Sequence, residues 1–587
     1  MSCDANLRMI RTMVCALIPS MLIAGCLATD PEPTPPSYDG PSFRVVRVSK
    51  PASAAQQIAV HACAGLYNRQ SGGSIFVQTD TDVTQSRIDG ALTRDEVWLE
   101  SMGLTPSATI AADDFLNECQ ATFPSCVRYS YGAQQEILPA ILTAAAALGA
   151  VPVAEETGLK CDSPALDATA VFADRATPLL ATEYVYAHYL TDTTGLAMLN
   201  PGYDRHAEDL ANPDLIEDMP VALIDFVFAR RLFVTFLVNG CIEGNPERDL
   251  LTKIVEESPW KEPIGVYGYN DSWLIGGYVY EAQTDCLDTG NMGAIPSRTT
   301  NLSFFATRRA EITSAAELPA IEPERVRYDP EKTYVAFVVG DGDNIRYIMS
   351  TRRDWLAERL ERCQDARPKC PALTWTISPH LPEIAPDVLV WYADAARSTG
   401  ADYFALPPSG YLYAYPSMLN DENEALFAAE TERTARILGT HSVIHWEWFE
   451  AWADSRAHYL PRYAHAGNQI RGIFPVNVPY IAEPFPDWPS EQMYEMLTGA
   501  DGGQAALFRT RSWRGVDGRD DFHATPAEMA ATLADLPKGT VTWVYMTSDG
   551  GLTLENSYFE LLPLLPEHMQ LVSTDTAAEL AIAASAN

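Results

Sequence analysis

Short apolar runs alternate with amphipathic stretches along most of the chain, the pattern of strands and helices following one another. Gln56 to Leu66 carries apolar residues at helical spacing and precedes the strand-like Ser74-Ile75-Phe76-Val77-Gln78. Glu96 to Met102 and the Ala/Leu-rich Ile137 to Ala150 predict further helices, and Val151-Pro152-Val153 predicts an extended piece. Ala222 to Val238 is apolar and aromatic, but Asp225, Arg230 and Arg231 interrupt it. It therefore predicts a buried helix or adjacent elements rather than a membrane insertion. Ile264 to Tyr269 reads as a strand running into Asn270 and Asp271, short side chains that cap turns or reach a cleft.

Beyond the Pro- and charge-rich Leu318 to Lys332, Tyr334 to Val339 is apolar throughout, as in a parallel strand buried on both faces. Leu373-Ile377, Tyr403-Leu406, Val443-Trp448, Ile473-Val476, Ala505-Phe508 and Val541-Tyr545 repeat the theme, with a helix-compatible stretch at Glu424 to Leu438. Strands so spaced predict an α/β domain, barrel-like or an open parallel sheet, with functional loops at the carboxyl edge. The expected organisation is a signal peptide over 1–25, a Pro-rich tether over 26–54, a subdivided N-terminal α/β region over 55–325 and a barrel-like catalytic domain over 326–587.

The N-terminus refines this picture. An apolar stretch too short to span a bilayer ends in Ile23-Ala24-Gly25-Cys26, a segment that resembles a bacterial lipoprotein cleavage box. It predicts lipid on Cys26 and an extracytoplasmic, membrane-anchored chain, with Leu27 rather than Asp after the cysteine. Setting aside Cys3, Cys15 and Cys26 leaves eight cysteines, room for up to four disulfides in an exported protein. Cys119/Cys126 and Cys363/Cys370 are spaced for local clips. The net charge of -37 repels phosphate backbones, so nucleic acid is excluded as a partner.

Candidate chemistry gathers after the predicted strands. Gly340-Asp341-Gly342-Asp343-Asn344 follows the first C-terminal strand and presents oxygen-rich side chains suited to a polar substrate or a divalent cation, although no cofactor is required. The sequence fits neither a full EF-hand loop nor a P-loop. Trp375, Tyr411, Tyr413, Tyr415, Trp446, Trp448 and Trp513 supply faces for stacking on sugars. Arg509 and Arg511 suit a carboxylated sugar or buried acids. Glycosidic cleavage needs two carboxyl groups. Glu447 is the first acid/base candidate and Asp341 or Asp343 its partner, with Glu383 and Asp549 as substitutes. His380, His441 and His445 keep a metal-dependent hydrolase open, and a noncatalytic glycan-binding lipoprotein is the other alternative.

Pro407-Pro408-Ser409-Gly410-Tyr411-Leu412-Tyr413-Ala414-Tyr415-Pro416 resembles the signature of the glycoside-hydrolase family named for Gly-x-Gly-Tyr-x-Tyr-Pro. Gly410, Tyr413, Tyr415 and Pro416 match, while Leu412 stands at the second glycine. The Asp341-Gly342-Asp343-Asn344 turn, Trp375 to Pro379 and, more weakly, Asn301-Leu302-Ser303 extend the resemblance. It implies a multipart α/β N-terminal region, a distorted TIM-barrel-like C-terminal domain and a carbohydrate substrate.

Overall fold

The computed structural model describes residues 38, 40–49, 52–79, 87–88, 91–92, 96–202, 221–270, 272–273, 279–322, 324–364, 370–448, 450–478, 484–516, 523–547 and 551–585. Cys26, the signal and most of the tether, Asp271 and Asp549 lie outside them.

The N-terminal half is built from small parallel sheets. Arg44–Val48 pairs with Ile75–Thr79 and Ala108–Ala111. Cys126–Arg128 pairs with Val151–Val153 and Leu166–Asp167. A four-stranded sheet runs in the order Phe233–Thr235, Leu196–Met198, Ile264–Gly268, Met292–Ile295. The apolar 222–238 run is the helix Ile224–Arg230 followed by the strand Phe233–Thr235, adjacent elements folded over a core. Four disulfides are present: Cys63–Cys119, Cys126–Cys161, Cys241–Cys286 and Cys363–Cys370. The short Cys363/Cys370 clip is as expected. Cys119 and Cys126 do not pair with each other, because one sits on the helix Ala112–Thr122 and the other begins a strand of a different sheet, so each crosslinks within its own layer.

In the C-terminal half the expected strands form as β1 (Thr333–Val339), β2 (Leu373–Thr376), β3 (Asp402–Ala405), β4 (Ser442–Trp448), β5 (Gly472–Val478), β6 (Gln504–Phe508) and β7 (Val541–Met546). One sheet has the order β3-β2-β1-β7 with Ser512–Trp513 beyond β7, and a second has β4-β5-β6 with Tyr494–Thr498 antiparallel at its edge. β3 and β4 meet at an isolated parallel bridge between Leu406 and Val443. β6 resumes after 509–511 as Ser512–Trp513, which pairs with β7. The described ladders therefore form two sheets, one parallel and one parallel but for its edge strand, and not one continuous ring.

Alternation along these strands sorts side chains between two cores. Tyr334, Ala336 and Val338 of β1, Ile444 and Trp446 of β4, Phe474 and Val476 of β5, Ala506 and Phe508 of β6, and Val541, Trp543 and Tyr545 of β7 share one apolar cluster. Val572, Ala577, Ala578, Leu580 and Ala581, most of them on the helix Thr574–Ser585, complete that cluster. The residues between them, among them Val335, Phe337, Val443, Ile473 and Val544, belong to the larger core behind the strands.

Candidate active site

The turn after β1 is held from several directions. Gly340 and Gly342 are required by close approach: a Cβ on Gly340 would lie 2.4 Å from the Tyr545 ring, and one on Gly342 would lie 1.9 Å from the Thr376 carbonyl oxygen. Asp341 itself takes the left-handed conformation, φ 62°, where a non-glycine residue is strained and commonly functional. Its backbone N–H donates to Tyr545 Oη at 3.1 Å, and the Gly342 N–H donates to Thr376 Oγ1 at 2.9 Å. Arg352, 2% exposed, donates from Nη2 to Asp341 Oδ2 at 2.7 Å and from Nε to the Gly340 carbonyl at 2.8 Å. Its guanidinium also lies over the Trp355 ring, 4.3 Å from the centroid.

Asp343 is the chemically distinctive member of the turn. It keeps some solvent contact, yet its packed surroundings and then the charge of Asp341 push its pKa up to about 8, with Arg352 opposing. A salt-bridged carboxylate thus stands two residues from a carboxylic acid that keeps its proton at neutral pH. Asn344 caps the following helix, its Oδ1 accepting from Arg346 N at 3.0 Å.

The Gly-Tyr loop after β3 is fastened on both sides. Tyr413 exchanges 2.9 Å backbone hydrogen bonds with Ala294. Asp288 Oδ2 accepts from Tyr415 N at 2.6 Å, and Ser417 Oγ donates to Glu447 Oε2 at 2.8 Å. Ser409 Oγ accepts from Trp446 N at 3.0 Å and lies 2.9 Å from the Ala414 carbonyl. Asp288 is fully enclosed, and burial pushes its pKa far above the carboxylate range. Pro296, two residues beyond Ala294, accepts from Ile345 N at 2.8 Å. Two residues of extended chain span about 6.6 Å, so one segment of the N-terminal half brings Tyr413 beside the Asp343-Asn344 turn. Tyr413, Tyr415, Trp446 and Trp448 form a chain of rings with centroid separations of 4.4, 5.3 and 6.0 Å. Tyr413 and Trp448 remain partly exposed.

Leu412 does not widen or narrow this cleft. It is buried, its φ is not positive, and its side chain packs on Gly265 and Gly293, where added Cβ atoms would meet it at 3.1 and 2.7 Å. The two strand glycines leave the space that Leu412 fills. Leu412→Gly should therefore cost about 2–5 kcal/mol of stability through the cavity it opens, measured by denaturant unfolding, while leaving ligand affinity unchanged.

The remaining candidates sit elsewhere. Glu447 is fully buried on the face of β4 opposite Trp446, 3.1 Å from His445 Nε2 and bonded to Ser417. Trp375 is enclosed, its Nε1 donating to Asp402 at 2.7 Å, and Trp513 donates to the Ala524 carbonyl at 2.8 Å. Arg509 binds the Ser490 and Trp488 carbonyls, and Arg511 contributes its own carbonyl to Tyr545 N. The two tryptophans make scaffold contacts, whereas Arg509 and Arg511 are partly exposed. Asn270 is buried in a turn, its Oδ1 accepting from Ser272 N. His380 lies 5.0 Å from the Tyr411 ring, and burial lowers its pKa to about 4. Glu383 lies in the short helix after β2 and pairs with Arg230 at 3.5 Å. Among the described residues no group of three or more His, Cys, Asp or Glu side chains is placed to hold a metal. Of the residues that shape the Asp341 turn, Thr376 lies in the Trp375 to Pro379 segment that carries the resemblance, whereas Arg352 and Tyr545 have no distinguishing sequence signal, since each looks like an ordinary helix or strand residue.

The fold is similar to that of a putative hydrolase from Bacteroides thetaiotaomicron VPI-5482: 15% identity, 92% of this chain and 94% of that one, TM-score 0.63. A 4-alpha-glucanotransferase from Thermococcus litoralis aligns over 42% of this chain and 40% of its own at 12% identity, with a TM-score of 0.26, too low to indicate a shared fold. No curated protein matches. Residues 331–483, which hold the Asp341 turn, the Gly-Tyr loop and Glu447, match the family model of the GxGYxYP putative glycoside hydrolase C-terminal domain.

Proposed function

We propose that the protein is a glycoside hydrolase in which Asp343 is the general acid and Asp341 the partnering carboxylate. The observation that carries this reading is a pair of partly exposed carboxyl groups two residues apart, one salt-bridged to a buried arginine and the other kept protonated by its surroundings. Glycosidic cleavage demands a proton donor and a partnering carboxylate: Asp343 gives its proton to the departing oxygen while Asp341 acts on water or the anomeric carbon. Tyr413 and Trp448 form the stacking wall. Glu447 then serves as a positioning residue, holding Ser417 and with it the Gly-Tyr loop. The Arg352 guanidinium already supplies a cationic partner to Asp341 through Oδ2, which favours the metal-free reading. We place the site at the mouth of a barrel-like arrangement, supported by the single apolar cluster shared by the inward faces of both sheets.

The test is a reducing-end assay over a broad glycan panel. Release of new reducing ends that is lost in Asp343→Asn supports hydrolysis. Glycan binding with no cleavage on any substrate would instead favour a noncatalytic binding protein.

The same reading places the chain outside the cytoplasm on a lipid-modified Cys26, and the four disulfides support an oxidising compartment. Intact mass of native material should show loss of residues 1–25 and addition of diacylglycerol. A mature chain with unmodified Cys26 would defeat the assignment.

A further inference from the structure

In a chain with 78 acidic and 41 basic residues, one cavity has the opposite balance. It encloses about 680 Å³ and is lined by Arg69, Arg230 and Arg231 with Glu383 as its one acid, and by Tyr267 and Thr194. Glu383 pairs with Arg230. Arg69 and Arg231 make no ion pair with a described residue. They are close enough to oppose each other, since burial and then the Arg231 charge lower the pKa of Arg69. Arg69 is fixed by a 3.2 Å bond to the Phe228 carbonyl. Arg231 ends the helix Ile224–Arg230 at φ 57°, a position where glycine is the unstrained choice. Two like charges facing a shared space, one of them on a backbone conformation that disfavours a side chain, make that space attractive to an anion. Arg230 adds a buried Nε with no hydrogen-bond partner among the described residues.

We propose that this cavity binds the anionic group of an acidic saccharide, a carboxylate or sulfate held between Arg69 and Arg231 with the sugar against Tyr267. The volume suits one or two sugar rings. Glu383, in the helix after β2, joins the cavity to the strand whose Thr376 holds the Asp341 turn. The saccharide part rests on the hydrolase reading, whereas the anion site rests on the arginines alone.

Isothermal titration at low salt tests it with three probes: trigalacturonate, a sulfated disaccharide and neutral galactotriose. The expected result is that at least one anionic probe binds ten or more times more tightly than galactotriose, and which one binds identifies the anion. Arg69→Gln and Arg231→Gln should each weaken that binding about tenfold or more, with a thermal midpoint that is unchanged or higher because a repulsion is relieved. Arg231 is exposed, so its variant keeps the test open if Arg69→Gln fails to fold. Failure of both anionic probes to bind, or equal binding by the folded variants, overturns the proposal. Since calorimetry needs no cleavage, a neutral glycan hydrolysed by a chain that ignores both acidic probes would leave the hydrolase reading standing and remove this one.

Discussion

Asp343→Asn should lower kcat by about 100-fold or more, the scale of a lost proton-transfer group, while raising the thermal midpoint above pH 8. The two effects share a cause. In the unfolded chain Asp343 loses its proton near pH 3.9, whereas in the folded chain it keeps it up to about pH 8. Between those values the folded state binds the extra proton, so stability falls as pH rises through that window. Asparagine has the neutral shape without the proton to lose. The wild-type midpoint should therefore decline from pH 4 towards pH 8 more steeply than that of the variant, with calorimetry at matched salt as the readout. Lost turnover together with a lower midpoint at pH 8 would mean that the side chain serves packing instead.

Asp402→Ala should destabilise the fold by about 3–5 kcal/mol, the range for breaking a buried ion pair from one side. Asp402 and Arg359 are both fully enclosed and meet at 2.6 Å. The same carboxylate accepts from Trp375 Nε1 at 2.7 Å and from Thr399 Oγ1. Removing it leaves a buried guanidinium and a buried indole N–H without their acceptor. Asp402→Asn retains an oxygen and should cost less. Urea unfolding of the two variants gives the comparison, and an Asp402→Ala chain as stable as wild type would show that Arg359 finds other partners.

Trp375 shows where sequence reading reaches its limit. The run Leu373-Thr374-Trp375-Thr376-Ile377 located β2 correctly through its β-branched and aromatic residues. Those residue types do not say which face meets the cleft. Trp375 and Glu447 both follow from correctly placed strands, yet one ring is bolted to Asp402 behind β2 and one carboxylate faces His445 and Ser417 behind β4. Turn residues were more legible: Gly340 to Asn344 stood out because two glycines and three oxygen-bearing side chains directly after an apolar strand have few structural uses. The reason for those glycines was still invisible, since it lies in Tyr545 and Thr376, far along the chain. Leu412 is the same case, a departure from the Gly-Tyr pattern that only Gly265 and Gly293 explain. Cysteine spacing predicted the Cys363–Cys370 clip and missed the long-range pairs, which depend on layers that sequence distance does not encode.

The pH dependence of kcat/KM for wild type beside Glu447→Gln, on a substrate found in the glycan panel, tests the assignment of the acid most directly. If Asp343 carries the proton, activity falls on the alkaline side near pH 8 in both proteins, since the titrating group is the same in each. An alkaline limb that moves or disappears in Glu447→Gln would contradict the account and return the acid role to Glu447.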